Sequence, residues 1–334
     1  MVGLGNVGQG FLKILLEDSA KLERVNGVKI TVVGISDIRY GNYYNPTGFN
    51  TAALLTALGK GDLTEYAAHK QDGKTEDWIA NADANLLLEA SFTNFTDAEP
   101  AYSYMKVALA SGKHVATSNK GPIALFYNEL KALADQHNCH IGVEGTVMSG
   151  TPSMALGMQI LKTAGIYKIQ GILNGTTNFI LTQMEKGNTY ADALGEAQRL
   201  GYAEADPTGD VEGYDAAGKV VILGNLVMDQ TITFSDVDRK GISNITLEDV
   251  KKANLSGKAW KLIGTLERAD GKLIASVQPT LLPKENPLAN VGGATNAITY
   301  STHHMGDVTL IGAGAGRIQT GFALLSDILS IAKR

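Results

Sequence analysis

The chain has 334 residues, with 29 Lys and Arg against 34 Asp and Glu, a formal net charge of −5, 44% hydrophobic and 19% charged residues. That length suits two ordinary domains, each with its own core, and the balanced composition excludes a disordered, collagen-like or disulfide-stapled chain. Apolar runs such as Leu86–Leu88 are too short to cross a membrane, no leader pattern or basic stripe for nucleic acid is present, and a lone cysteine, Cys139, fits a reducing compartment, so a cytoplasmic protein is expected.

Glycine is abundant, at 38 residues, and it sits singly at the ends of apolar segments rather than in a low-complexity tract. Gly3-Leu4-Gly5-Asn6-Val7-Gly8 opens the chain and leads into a helical period over Asn6–Glu17. In a dinucleotide fold the first glycine makes the tight turn, the second admits the pyrophosphate and the third packs helix on strand. The phosphates would rest on the helix amides nearest Asn6 and Val7. Only Met1 and Val2 precede the motif, so most of the strand that should lead into it is missing and the true start could lie upstream. A strand over Lys29–Ser36 follows, with Asp37 at its end and Arg39 two residues on. Asp37 could accept the adenosine ribose hydroxyls, which favours NAD, and Arg39 could face a 2′-phosphate, which favours NADP; both readings stay open.

Further strands are expected over Asn85–Ala90, His114–Ser118 and His140–Val143, alternating with helices over Glu99–Ser111 and Ile123–Gln136. Such alternation implies a parallel sheet covered by helices. Lys120 follows the second of these strands, His114–Ser118, at the end where open α/β sheets hold ligands, although a loop lysine is an equal reading. Near Gly145 the pattern changes. A helix over Pro152–Thr163, a strand over Lys168–Leu173, three helical stretches to about Met228, and antiparallel segments over Ala259–Glu267 and Lys272–Gln278 follow, with Ala269-Asp270-Gly271 as the turn. The last helix spans Gln319–Ala332. The expected organisation is a Rossmann-type α/β nucleotide-binding domain over 1–150, with the last helix (about 317–334) packing back near it, and an α+β domain over 151–316.

The stretch Tyr202–Lys219 carries five acids, Glu204, Asp206, Asp210, Glu212 and Asp215, and ends on a lysine. Pro207 and Gly209 keep its first part irregular, which would let Glu204, Asp206 and Asp210 converge. Asp215 and Lys219 are four apart and share a helical face. A solvated acidic loop with a surface ion pair is the plain alternative. Val220-Val221-Ile222-Leu223 instead sends this helix into a core, where a desolvated lysine can exchange a proton with a reacting hydroxyl. Adjacent His303 and His304, read as strand residues, would point to opposite faces, and they suggest structure rather than a metal; Cys139 reads as a packed residue.

Taken together, Gly3–Gly8, Ser118-Asn119-Lys120, Glu144-Gly145-Thr146-Val147 with Pro152, Asn174–Asn178, Glu204–Lys219 and Gly312–Gly316 with Thr320 and Asp327 resemble the homoserine dehydrogenase family from Gly3 to the last helix. The resemblance implies NAD(P)-dependent interconversion of L-homoserine and L-aspartate 4-semialdehyde, on the route to threonine, methionine and isoleucine. It implies Lys219 as proton donor and acceptor, supported by Asp215, with Lys120 touching cofactor and substrate. Glu204, Asp210, Gly175 and Thr176 fall at substrate positions. Gly3, Gly5, Asn6, Val7, Gly8, Asp37, Arg39, Ser91 and Gly316 fall at cofactor positions, although Glu89-Ala90-Ser91 departs from the family's usual residues. Some members bind a monovalent cation, Na or K, and the matching positions here are Glu144, Val147, Ser149 and Thr151. A homodimer is implied, and no C-terminal ACT-type regulatory domain is expected. Rival readings are a catalytically silent NAD(P)-binding regulator and an oxidoreductase for another hydroxy acid.

Overall fold

The computed structural model describes residues 1–333 and divides into two units. One comprises Met1–Gly150 and the C-terminal stretch from Gly316; the other is Thr151–Ala315.

The first unit is built on two ladders. Strands β1 (Gly34–Asp37), β2 (Gly41–Tyr44) and β3 (Lys70–Gln71) are antiparallel, and β4 (Leu86–Glu89), β5 (His114–Thr117) and β6 (Ile141–Gly142) are parallel. Val2 pairs in parallel with both Ser36 and Glu89 and joins the two. Gly3, Asp37, Ala90 and Ser118 therefore stand at the carboxyl ends of neighbouring parallel segments. The strand expected over Lys29–Ser36 is regular only from Gly34, where the Met1 amino group donates to the Gly34 carbonyl at 3.0 Å. A cavity of about 480 Å³ opens next to that stretch, lined by Lys29–Gly34, Ala84–Leu88 and His114 among others. It lies toward the amino ends of the strands and away from the glycine turn.

The helix after the glycine turn runs Asn6–Asn26, longer than its first apolar period suggests. Leu22 prolongs the buried stripe of Phe11 and Leu15, and Gly27 ends the helix at φ +68°, its N–H on the Glu23 carbonyl at 3.0 Å. The last helix, Arg317–Ile331, crosses it at two glycines. A Cβ on Gly10 would stand 2.0 Å from the Arg317 carbonyl oxygen, and one on Gly321 2.5 Å from the Phe11 nitrogen. Arg317 also donates to the Gln9 side-chain oxygen at 2.7 Å.

The second unit centres on a six-stranded sheet of order β12-β11-β7-β9-β10-β8, in which β7 is Ile166–Ile172, β8 Val237–Arg239, β9 Lys258–Ala269, β10 Lys272–Pro283, β11 Thr295–Thr302 and β12 Gly306–Ala313. All neighbours are antiparallel except β8 and β10. Asp270 and Gly271, both at positive φ, close the β9–β10 hairpin as a two-residue turn. Helix Tyr214–Leu226 is buried along almost its whole length, from Ala216 to Gly224. Its small residues and Gly264 of β9 let it approach closely, since a Cβ on Gly264 would stand 2.8 Å from Val220. The continuous helix expected over Pro152–Thr163 is instead an α turn (Ser153–Ala155), a π segment (Leu156–Ile160) and a 3₁₀ turn (Lys162–Ala164). The buried Tyr300 shapes it: its hydroxyl donates to the Ser153 carbonyl at 2.8 Å, and its ring fills the space beside Gly157.

Gly10→Ala forces a Cβ into the Arg317 backbone, so overpacking should cost about 1–3 kcal/mol. Thermal unfolding should show a lower midpoint; an unchanged midpoint would mean that the two helices separate freely at this crossing.

Candidate active site

In the first unit, the glycine turn has the geometry a dinucleotide needs. Gly3 holds φ +87°, and any Cβ there would meet the Ala90 carbonyl oxygen at 2.4 Å. A Cβ on Gly8 would meet the Gly3 oxygen at 2.1 Å, so this glycine lets helix and turn close up. Gly5, by contrast, has nothing within 4 Å of where its Cβ would lie. It is also the helix N-cap, no side chain caps it, and the first helical turn holds no acid. The amides of Asn6 and Val7 thus begin a helix whose positive end is open to an anion, and these residues fit a pyrophosphate.

Asp37 sits at the carboxyl end of β1, partly buried. Its Oδ2 accepts from the Leu4 N–H at 2.8 Å and its Oδ1 from the Arg39 N–H at 2.9 Å. The carboxylate is thereby pinned beside the glycine turn with two of about four acceptor positions used. The Arg39 side chain is exposed. At the end of β4, Ser91 donates N–H and hydroxyl to Glu89. At the end of β5, Asn119 caps helix Lys120–Gln136 by accepting from the Gly121 N–H, which sets Lys120 as the first helical residue. Gly316 caps the last helix at φ 146°, carried toward the glycine turn by the Gly10 crossing. Glu144 lies in a buried 3₁₀ turn whose N–H donates to Asp327 at 3.0 Å, and the Ser149 and Thr320 hydroxyls bond at 2.7 Å. Burial pushes the Asp327 carboxyl well above the usual carboxylate range, with the Glu144 charge adding to the rise. Val147 is buried in the same unit, whereas Thr151 opens the second unit and donates to the Ala313 carbonyl at 3.1 Å. Among the described residues no cluster of three His, Cys, Asp or Glu could hold a metal ion.

The second unit carries a buried hydrogen-bonded network of Lys219, Asp215, Asn174 and Asp210. Lys219, only 6% exposed, donates from Nζ to the Leu173 carbonyl at 2.6 Å and to Asp215 Oδ2 at 2.7 Å. Asn174 is the hub. Its Nδ2 donates to Asp215 Oδ2 at 3.0 Å and to Asp210 Oδ1 at 2.6 Å, while its Oδ1 accepts from the Thr177 N–H and caps helix Gly175–Glu185. Burial raises the Asp210 carboxyl above the ordinary range; the Asn174 bond pulls it down and the neighbouring Asp215 charge pushes it up again. Thr176, the second residue of the capped helix, donates its hydroxyl to the Tyr202 carbonyl at 2.7 Å and so ties the acid-rich loop to that helix.

Lys219, Asp215 and Asp210 are therefore brought together, with Gly175 and Thr176 alongside. Glu204 and Asp206 do not join them: both are exposed, Asp206 turned back to the Thr208 N–H. The cause is Pro207, which starts a short helix, Thr208–Val211, that carries Asp210 inward and leaves the preceding acids in solvent. His303 and His304 lie in the β11–β12 turn rather than on a strand, and His303 stacks on Tyr167 at 4.9 Å between ring centres. Two participants escaped the sequence reading. The Leu173 carbonyl is backbone and leaves no residue signature. Asn174 is named there only within the Asn174–Asn178 motif and given no role, although an Asn directly before a helical period is a cap signal.

Comparison with known proteins agrees with this layout. The family model described as homoserine dehydrogenase, NAD binding domain matches residues 3–144, and the one described as homoserine dehydrogenase matches residues 152–329. The chain is 45% identical over 333 residues to an NAD(+)-dependent homoserine dehydrogenase of Pseudomonas canavaninivorans, covering 99% of this chain and 95% of that one. It is 39% identical to a homoserine dehydrogenase of Methanocaldococcus jannaschii, with 99% and 97% covered. Among solved structures, a putative homoserine dehydrogenase from Archaeoglobus fulgidus superimposes with a TM-score of 0.88 at 35% identity, covering 99% of this chain and 97% of that one. A hyperthermophilic archaeal homoserine dehydrogenase mutant in complex with NADPH superimposes with a TM-score of 0.86 at 32% identity, with 99% and 96% covered.

Asn174→Ala removes a helix cap and the donor that Asp210 and Asp215 share. Losses of about 0.5–2 kcal/mol for a cap and about 1 kcal/mol or more for buried acceptors are expected in denaturant unfolding. Unchanged stability would show that the two carboxylates do not depend on the amide.

Proposed function

The chain belongs to the homoserine dehydrogenase family, oxidoreductases that act on a CH–OH group with NAD or NADP, and from that premise we propose that Lys219 is its proton-transfer residue. The observation that carries this is a lysine buried at 6% exposure and held by one carbonyl and one carboxylate. Oxidation of an alcohol by hydride loss requires a base for the hydroxyl proton, and the reverse reaction requires an acid at the same oxygen. The bound nicotinamide supplies the hydride acceptor or donor. Lys219 moves the proton at the substrate oxygen, and Asp215 with the Leu173 carbonyl keeps Nζ from swinging away as it does so. Asp210, beside them, meets the substrate ammonium, and Gly175 and Thr176 line the same end of their helix; Glu204, exposed and apart from this set, is assigned to the substrate by the family resemblance alone. In the nucleotide unit, Gly3, Gly5, Asn6, Val7 and Gly8 take the pyrophosphate, while Ser91, Lys120 and Gly316 take the nicotinamide half. Glu144, Val147, Ser149 and Thr151 are the positions assigned to a monovalent cation. A homodimer and a cytoplasmic location complete the reading, supported by the family resemblance and, for location, by the single buried cysteine.

Asp37 supports NAD as the better nucleotide. Its carboxylate is fixed beside the glycine turn by the Leu4 N–H, so a 2′-phosphate would meet a like charge, whereas ribose hydroxyls find acceptors.

With L-homoserine and NAD or NADP at mildly alkaline pH, the wild type should reduce the nucleotide and Lys219→Ala should lose about 100-fold or more in kcat. Undiminished turnover in the variant would move the proton role elsewhere, and Lys120 would be the next candidate. For Asp37→Ser, kcat/KM with NADP should rise relative to NAD by roughly tenfold, the scale of one charge contact. A ratio that does not move would assign nucleotide choice to Arg39 or beyond.

A further inference from the structure

Glu89 ends β4 with no solvent exposure, and every neighbour that bonds to its carboxylate is a donor. Oε1 accepts from the Ser91 N–H at 2.9 Å and from the Ser91 hydroxyl, and Oε2 accepts from the Thr117 hydroxyl at 3.1 Å. The Thr117 oxygen itself accepts from the Asn119 N–H at 2.9 Å. Asn119, 1% exposed, then donates to the Phe92 carbonyl at 2.8 Å and caps the Lys120 helix. One carboxylate thus anchors the loop after β4 and, through Thr117 and Asn119, the loop after β5.

We propose that Glu89 is a positioning residue for cofactor binding, holding the Ser91 segment and the capped end of the Lys120 helix in one arrangement so that the two loops meet the nicotinamide half together. The inference rests on the assignment of Ser91 and Lys120 to the cofactor given above. Glu89 does not touch the cofactor in this account; it acts through Ser91 and Asn119. Burial holds its carboxyl above the usual range, and the bonds from Ser91, Thr117 and Asn119 offset only part of that rise. The chemistry favours an acceptor with no donor of its own, because glutamine would turn an NH₂ toward a hydroxyl or amide that is already donating.

The test titrates NADH and NADPH against the full-length protein by nucleotide fluorescence, with kcat and KM for L-homoserine oxidation and thermal midpoints in parallel. Glu89→Gln should weaken nucleotide binding by about tenfold or more, the effect of a mismatched buried acceptor, and should raise cofactor KM more than it lowers kcat. Thr117→Val should act in the same direction, and Thr117→Ser, which keeps the hydroxyl, should restore wild-type binding. In a Ser91→Ala background the further loss caused by Glu89→Gln should shrink, because the hydroxyl bond has gone from the Ser91 route and only the N–H bond remains. Wild-type binding by Glu89→Gln, fully additive losses with Ser91→Ala, or a fall in kcat alone would each overturn the proposal. Should Glu89→Gln fail to fold, the Thr117→Val and Thr117→Ser pair decides: equal binding by the two overturns it. A wild type that binds neither nucleotide would overturn the cofactor assignment itself, and this inference with it.

Discussion

An ammonium taken out of water must be met by fixed acceptors, and in this protein that condition organises the second unit around Lys219. Burying a charge in a low-dielectric interior is tolerated only with a partner and with its remaining donors satisfied. Here the partner is Asp215, one helical turn away, and an additional acceptor is the Leu173 carbonyl just beyond β7. Placing that carbonyl requires the chain to leave the sheet at Leu173 and turn at once into helix Gly175–Glu185. Asn174 makes the turn possible by capping the helix with one end of its amide and holding Asp210 and Asp215 with the other. A strand end, a helix start and a buried lysine are thus one construction. Removing a carboxylate from it would leave the ammonium buried without its counter-charge, a larger loss than any single bond in the set.

The two units divide their chemistry differently. In the nucleotide unit the decisive groups are backbone: the close approach at Gly3 and Gly8, the open face at Gly5, and the uncapped amides of the following helix. Side chains such as Asp37 and Glu89 work mainly by gripping backbone amides or the loops they belong to. In the other unit the decisive groups are side chains on a buried helix. The distinction follows from what each half has to recognise. Phosphates are satisfied by N–H groups pointing in one direction, whereas moving a proton demands an ionisable atom at one place.

What could be read from the sequence followed the same division. The glycine turn, the parallel strands at Leu86 and His114 and the Asp270-Gly271 hairpin were legible because local rules decide them: a glycine where a Cβ would collide, alternation of apolar runs, a two-residue turn. Lys219 with Asp215 was legible because four-residue spacing puts both on one face and the next four residues are apolar. The separation of Asp210 from Glu204 and Asp206 was not, since it depends on how a single turn of helix after Pro207 is oriented by the packing beneath it. Nor was the break-up of the Pro152–Thr163 segment, which is imposed by Tyr300, far along the chain. Glu89 was read only as a departure from a familiar motif, and its bonds to Thr117 and Ser91 emerge only once β4 and β5 lie side by side. Long-range contacts account for each of these failures.

The crossing of the first and last helices at Gly10 and Gly321 also bears on how the molecule is made. Residues 151–315 form one uninterrupted stretch, and all the strands of their sheet precede the last helix in the chain. The nucleotide unit begins first and finishes last, because the surface of the Asn6–Asn26 helix that takes Arg317–Ile331 stays uncovered until the ribosome has released that segment. Order of synthesis and order of completion are therefore reversed between the two units. The second unit has all of its residues while the nucleotide unit still shows an uncovered apolar helix face.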